Sequence, residues 1–271
     1  MVISYPDLST KLLNISTRGF VGSGDEVMIA GFIVDGQVAK QLVLRGLGPS
    51  LTQEGVVGAM SDPNLTLMDA NGTQLAFDND YGDIPAADQG TLVGFGLTPT
   101  DSRESALVAS LPIGNYTAIL QGTTNGAGLV EIYDISGTRT SRFVNMSTRA
   151  QVEAGDNGAL IGGFIVGAPA GAASSPQTVL IRAIGPSLSA FGVLGALADP
   201  TIDFYQGSQL ILSNDNWKSD NQAAIEATGI PATNDKEAAI LVTLDPGSYT
   251  AVIRGKNNTT GVALVDVYQM P

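Results

Sequence analysis

The sequence predicts an all-β protein made of two tandem β-sandwich domains of jelly-roll type, with about eight strands each. Three observations predict it. The 271 residues include 33 glycines and 13 prolines, with Thr, Val, Leu and Ile filling the space between them. That is the composition of many short strands joined by tight turns. Apolar residues alternate or run in short blocks, with no sustained 3.6-residue period. The chain also repeats itself almost from end to end.

The repeat is read by aligning the chain with itself. Asn14-Ile-Ser-Thr-Arg18 recurs as Asn145-Met-Ser-Thr-Arg149, and Gly31-Phe-Ile-Val34 as Gly163-Phe-Ile-Val166. Arg45-Gly-Leu-Gly-Pro-Ser-Leu51 recurs as Arg182-Ala-Ile-Gly-Pro-Ser-Leu188. Asp62-Pro63 answers Asp199-Pro200, and Asp78-Asn-Asp-Tyr81 answers Asn214-Asp-Asn-Trp217. Pro112-Ile-Gly-Asn-Tyr-Thr117 answers Asp245-Pro-Gly-Ser-Tyr-Thr250, and Leu129-Val-Glu-Ile-Tyr133 answers Leu264-Val-Asp-Val-Tyr268. The offset moves from 131 to 137 and back to 135, which marks loop insertions and deletions. The largest gain, residues 168–176, reads as a longer hairpin tip. Domain one is placed at 1–136 and domain two at 137–271. Val2-Ile-Ser4 echoes the end of domain one and is read as the tail strand of a preceding repeat.

The strands of the first copy are expected at 12–17, 26–34, 41–46, 64–69, 74–77, 105–111, 115–121 and 128–133. Each is a short alternating or apolar block bounded by turn residues. Asp69-Ala-Asn-Gly72 joins the fourth and fifth through Asn-Gly, a strong hairpin signal. The second copy carries the same set. A short helix is expected after each Gly-Pro-Ser, at 51–57 and 188–193. Eight strands per copy fit two packed sheets.

The run from Asp62-Pro63 through the Asp/Asn-rich turn to Pro-x-Gly-x-Tyr-Thr and the last strand resembles the bacterial pre-peptidase C-terminal family of secreted β-sandwich domains. This likeness covers the last half of each copy. The whole unit, with Asn-x-Ser-Thr-Arg and Arg-x-x-Gly-Pro-Ser-Leu, is similar to a tandem repeat of large secreted surface proteins of environmental bacteria. The resemblance implies export, a structural or adhesive role, and no chemistry of its own.

Charge narrows the partners. Acids outnumber bases 26 to 13, a net −13. A field of that sign repels nucleic acid and anionic membranes, and it favours divalent cations. There is no cysteine and no histidine, so disulfides, thiolate metal sites and the commonest general base are missing. No apolar run approaches a membrane span. The first residues lack the basic and apolar regions of a signal peptide. The expected location is extracellular or cell-surface, with the signal peptide removed or outside this stretch.

Candidate sites follow from side-chain chemistry. Asp78, Asp80 and Asp83, and in the matching loop Asp215 and Asp220, could supply oxygens to calcium, the candidate cofactor. The same residues are equally suited to Asx turns, in which they bond their own backbone. Tyr81 and Trp217 follow those turns and are the candidate stacking platforms for polysaccharide. Arg18, Arg45, Arg149 and Arg182, set in or beside strands, predict structural pairing with Glu131 and Asp266, since a charge in an apolar strand needs a partner. Glu104 and Glu237 form another duplicated acid pair. Gly19-Phe-Val-Gly-Ser-Gly24 lacks the Lys-Ser/Thr of a phosphate loop. Ser50 has no histidine to activate it.

These observations lead to a non-enzymatic, extracellular structural or interaction protein of tandem repeats. Self-assembly into a fibre or surface array makes other copies of the same chain its expected partner. The alternative is an accessory module, binding polysaccharide or a partner protein, of a larger secreted hydrolase or adhesin.

Overall fold

A computed structural model describes residues 11–137, 140–168 and 175–270. Residues 2–4 and most of the 168–176 tip lie outside this range. The described chain is all-β, as the sequence predicts. The first copy contributes β1 (Lys11–Val21), β2 (Met28–Gly36), β3 (Lys40–Leu47), β4 (Pro63–Asp69), β5 (Gln74–Asp78), β6 (Ser105–Leu111), β7 (Gly114–Gly122) and β8 (Gly126–Asp134). The second contributes β9 (Ser141–Val152), β10 (Leu160–Gly167), β11 (Gln177–Ile184), β12 (Pro200–Gln206), β13 (Gln209–Asn214), β14 (Ala238–Leu244), β15 (Gly247–Gly255) and β16 (Gly261–Gln269).

Every ladder between these strands is antiparallel. The first copy forms two four-stranded sheets in the orders β6-β3-β8-β1 and β5-β4-β7-β2. The second repeats them as β14-β11-β16-β9 and β13-β12-β15-β10. This is jelly-roll connectivity, two Greek keys folded face to face. The sheets do not stop at residues 136 and 137. Strand β1 pairs with β8 of its own copy along one edge and with β10 of the other copy along its second edge. Strand β9 likewise joins β16 to β2. The result is two eight-stranded sheets, each half from one copy, and one hydrophobic core that includes Phe32 and Leu120 of the first copy with Phe164 and Ile253 of the second. The strand sets follow the limits read from the repeat, while the core spans them.

Local chemistry explains why these segments form these elements. Strand β4 alternates buried Leu65 and Leu67 with half-exposed Asn64 and Thr66. Strand β7 alternates in the same way through Tyr116, Ala118 and Leu120. The Tyr116 hydroxyl donates to the Pro112 carbonyl at 2.9 Å, and Tyr249 donates to Asp245 at 2.7 Å. Each tyrosine thereby pins the turn that precedes its strand by bonding the carbonyl four residues back, which accounts for the duplicated Gly-x-Tyr spacing. Gly48 and Gly185 are required by space: a Cβ there would lie 2.5 Å from the Met60 carbonyl and 2.2 Å from that of Leu197.

Two departures from the sequence reading concern helices. After Gly-Pro-Ser the chain makes 3-10 turns, Pro49–Glu54 and Pro186–Phe191, which start and end earlier than the expected helices. Two short α-helices, α1 (Ala86–Phe95) and α2 (Gln222–Ala227), fall in the long crossings after β5 and β13. Helix α1 contains Gly90 and Gly94 and buries only Leu92, so it carries no apolar stripe to betray it. Leu92 and Ile84 pack with Val43 and Ala106 on the outer face of β3 and β6. No described helix is long and apolar enough to cross a membrane.

Candidate functional site

The acidic turns are occupied by their own loops. Asp78 is buried and accepts the Ala106 N–H at 2.8 Å; burial lifts its carboxyl above the ordinary range. Its counterpart Asn214 accepts the Ala239 N–H at 3.0 Å. An amide and a carboxylate perform the same task, so the task needs an acceptor and not a charge. Asp80 accepts from Asn79, while Asp83 lies beside the 3-10 turn that it ends. Asp215 pairs with Lys256, and Asp220 accepts from Asn214 and Ser219. Among the described residues no cluster of three or more acids is placed to hold a metal ion.

Burial corrects the reading of Trp217 as a stacking platform. Trp217 is 4% exposed, packs with Leu180, Ile225 and Ala239, and donates its Nε1–H to the Asn234 carbonyl. Tyr81 packs against the equivalent cluster around Val43 and Leu92. Both rings pack the crossing onto a sheet; Trp217 presents no free face for a sugar, while Tyr81 stays partly exposed. Sequence order places both after an exposed-looking turn; the second turn folds back and buries Trp217.

The arginines divide into two kinds. Arg45 donates to Glu131 through Nε at 2.9 Å and also through Nη2, and donates Nη1 to the Leu97 carbonyl. Ser16 and Tyr133 donate to the other oxygen of Glu131. Arg182 forks onto Asp266 at 3.0 and 2.6 Å and reaches the Ile230 carbonyl. Tyr133 and Tyr268 lie under these guanidinium groups at 5.6 and 4.9 Å. Burial, with Glu131 beside it, pushes the Tyr133 hydroxyl up to about 12. The pairs tie the loops at 97 and 230 to the last strand of each copy. Arg18 and Arg149 belong to the second kind: among the described residues neither has an ion-pair or hydrogen-bond partner.

Glu104 and Glu237 do not meet arginines. Glu104 is fully buried, and one of its oxygens accepts from Gly48 N–H, Ser50 N–H and the Ser50 hydroxyl. Glu237 does the same with Gly185 and Ser187. Gly-Pro-Ser is therefore a backbone cradle for a distant carboxylate. The duplication of both motifs was visible in the sequence, but their meeting required the fold.

Three surface features remain. The first is a cleft of about 720 Å³ where the two copies join, formed by Ser23 and Glu26 of the β1–β2 turn, Arg149 and Gln151 of β9, and the 191–195 turn. The second is the pair of outermost strands β5 and β13. Strand β5 exposes Leu75 and Phe77; β13 exposes Leu210, Ile211 and Leu212. The third is a buried cluster in which Asp134 lies against both Lys11 and Lys40. No known family model matches the chain, and no curated protein matches it.

Proposed function

We propose that this chain is a non-enzymatic, extracellular structural protein whose molecules associate end to end through the outer strands β5 and β13. One observation carries the reading. Both long sheets finish in a strand that lacks a further neighbour among the described residues, and the residues there are uncharged, with an apolar run in each: 71–77 at one end, with Leu75-Ala-Phe77, and 206–213 at the other, with Leu210-Ile-Leu212. Soluble proteins usually blunt such edges with lysine, proline or a bulge. Here each edge carries a bulge, at Leu75 and Ile211, but neither lysine nor proline. In β13 the consecutive Leu210, Ile211 and Leu212 are exposed; in β5 Leu75 and Phe77 are, while Ala76 packs on the core. Within the chain, the two copies already join by antiparallel edge pairing, β1 to β10 and β2 to β9. End-to-end contact between molecules would extend the same architecture, and joining unlike ends gives an open filament.

The non-enzymatic part rests on the duplicated acids. Glu104 with Glu237, and Glu131 with Asp266, each hold a loop in both copies. Light scattering and electron microscopy across a concentration series test the reading. The expected result is elongated oligomers that grow as salt screens the net −13. Leu75→Lys with Ile211→Lys should leave monomers with an unchanged melting temperature. Parent protein that stays monomeric at high concentration and high salt would refute it. The second reading, an accessory binding module, is supported by a separate feature, the cleft at Arg149.

A further inference from the structure

We propose that the cleft at Arg149 binds a short acidic oligosaccharide, with the guanidinium on a sugar carboxylate and the Phe191 ring against a sugar face. The argument starts from the arginines. In a chain of net −13, Arg45, Arg103, Arg142, Arg182 and Arg254 each lie within 4.0 Å of a carboxylate. Arg18 and Arg149 are the two described arginines that do not, and they hold the same place in the two copies. An arginine needed by the fold pairs in both copies, as Arg45 and Arg182 do. These two are unpaired in both.

The copies then differ where the fold does not ask them to. The 3-10 turn after Gly-Pro-Ser is the same in each, closed by Gly55 and Gly192 at the same φ of +80°. Yet Glu54 and Val57 of the first copy are replaced by Phe191 and Leu194, which are 84% and 82% exposed. No packing requirement explains a phenylalanine left almost wholly in water. It stands on the wall of the larger cleft, beside Arg149. The matching hollow at Arg18 is about 290 Å³ and carries Glu54 in its place.

The chemistry of the cleft selects the ligand. A flat exposed ring suits the C–H face of a sugar. An unpaired guanidinium fits a carboxylate in a two-pronged hydrogen bond. Gln151, Ser23 and Glu26 offer donors and acceptors for hydroxyls. The volume falls in the range of small-molecule sites. The overall negative field opposes a long polyanion and favours a short chain. The Arg18 hollow has Glu54 where Phe191 stands, so it offers no exposed ring and less space, and the larger cleft is the competent one of the two.

Titration calorimetry with trigalacturonate tests this, using maltotriose as the neutral control. The parent protein should bind trigalacturonate at one site and maltotriose at least tenfold more weakly. Phe191→Ala and Arg149→Gln should each weaken binding tenfold or more, while Arg18→Gln leaves it unchanged. Phe191 is so exposed that its removal cannot be confused with unfolding, and equal melting temperatures confirm this. Absence of binding, equal binding of maltotriose, or full binding by Phe191→Ala would overturn the proposal. So would a result in which Arg149→Gln abolishes chain–chain association instead, because the occupant would then be an acidic surface of a second copy. Failure here leaves association through β5 and β13 untouched, since the two use different residues and different readouts.

Discussion

Thr17 and Thr148 occupy the same position in the two copies, and their buried hydroxyls bond to each other at 2.9 Å. Residues that meet their own counterparts lie on the axis relating the halves. Three residues further on, Phe20 and Gln151 pair through the backbone, and they too are counterparts. The Asn-x-Ser-Thr-Arg motif is thus the seam of the molecule. Its threonines face each other across the core, and its arginines face outward on opposite sheets.

Removing one of these threonine hydroxyls strands the other in the core. Thr17→Val should lower the unfolding free energy by about 1–3 kcal/mol, the cost of an unsatisfied buried group. Thr148→Val should behave alike. The double variant should lose less than the sum, because no polar group is then left without a partner. Urea unfolding of the four proteins measures the coupling; strict additivity would mean that the contact contributes nothing.

Lys40 provides a pH signature. Burial and the neighbouring Lys11 ammonium lower its pKa to about 8, although Asp134 opposes the shift. Burial alone would raise Asp134, but the ammonium groups hold its carboxyl below the ordinary range. Below pH 8 Lys40 is charged in both folded and unfolded chains, so this group gives no slope. Between about 8 and the unfolded value of 10.5 the unfolded chain holds the extra proton. Stability should therefore rise with pH across that window, by at most about 1.4 kcal/mol per pH unit for one proton. The second copy has Gln177 and Gln269 at the positions of Lys40 and Asp134, joined by an amide hydrogen bond of 2.9 Å. Lys40→Gln leaves Lys11 and Asp134 as a one-to-one pair and should flatten the rise, as read by chemical denaturation at pH 7, 8, 9 and 10.

Asp78 should tolerate loss of its charge. Its raised pKa means that the folded chain keeps a proton longer than the unfolded one as pH increases, so its contribution falls through that acidic window and stays low at neutral pH. Asp78→Asn, which copies Asn214, should be as stable as the parent at pH 7 or more so. Asp78→Ala, which leaves the Ala106 N–H without an acceptor, should cost about 1–3 kcal/mol. Among the described residues no three acids converge on one point, so melting curves in millimolar calcium and in chelator should superpose. A calcium-dependent rise abolished by Asp78→Asn would show a metal site instead.

The sequence by itself determined the duplication, the all-β class, eight strands per copy and the turn chemistry, because these depend on local pattern: alternation, Asn-Gly, and the Gly-x-Tyr spacing. Duplication also marked Arg45 with Glu131 and Arg182 with Asp266, which pair in the structure, but it marked Arg18 and Arg149 equally, and among the described residues these do not. Tertiary structure alone decided what those residues touch. Glu104 finds the Gly-Pro-Ser turn 54 residues away, Trp217 turns inward, and β1 and β9 each use both edges to fuse two jelly rolls into one core. A strand's alternation says which face is buried, but its hydrogen-bonding edges carry no side chains, so its neighbours leave no periodic trace. The seam between the copies is made of those edges, and only the fold could show it.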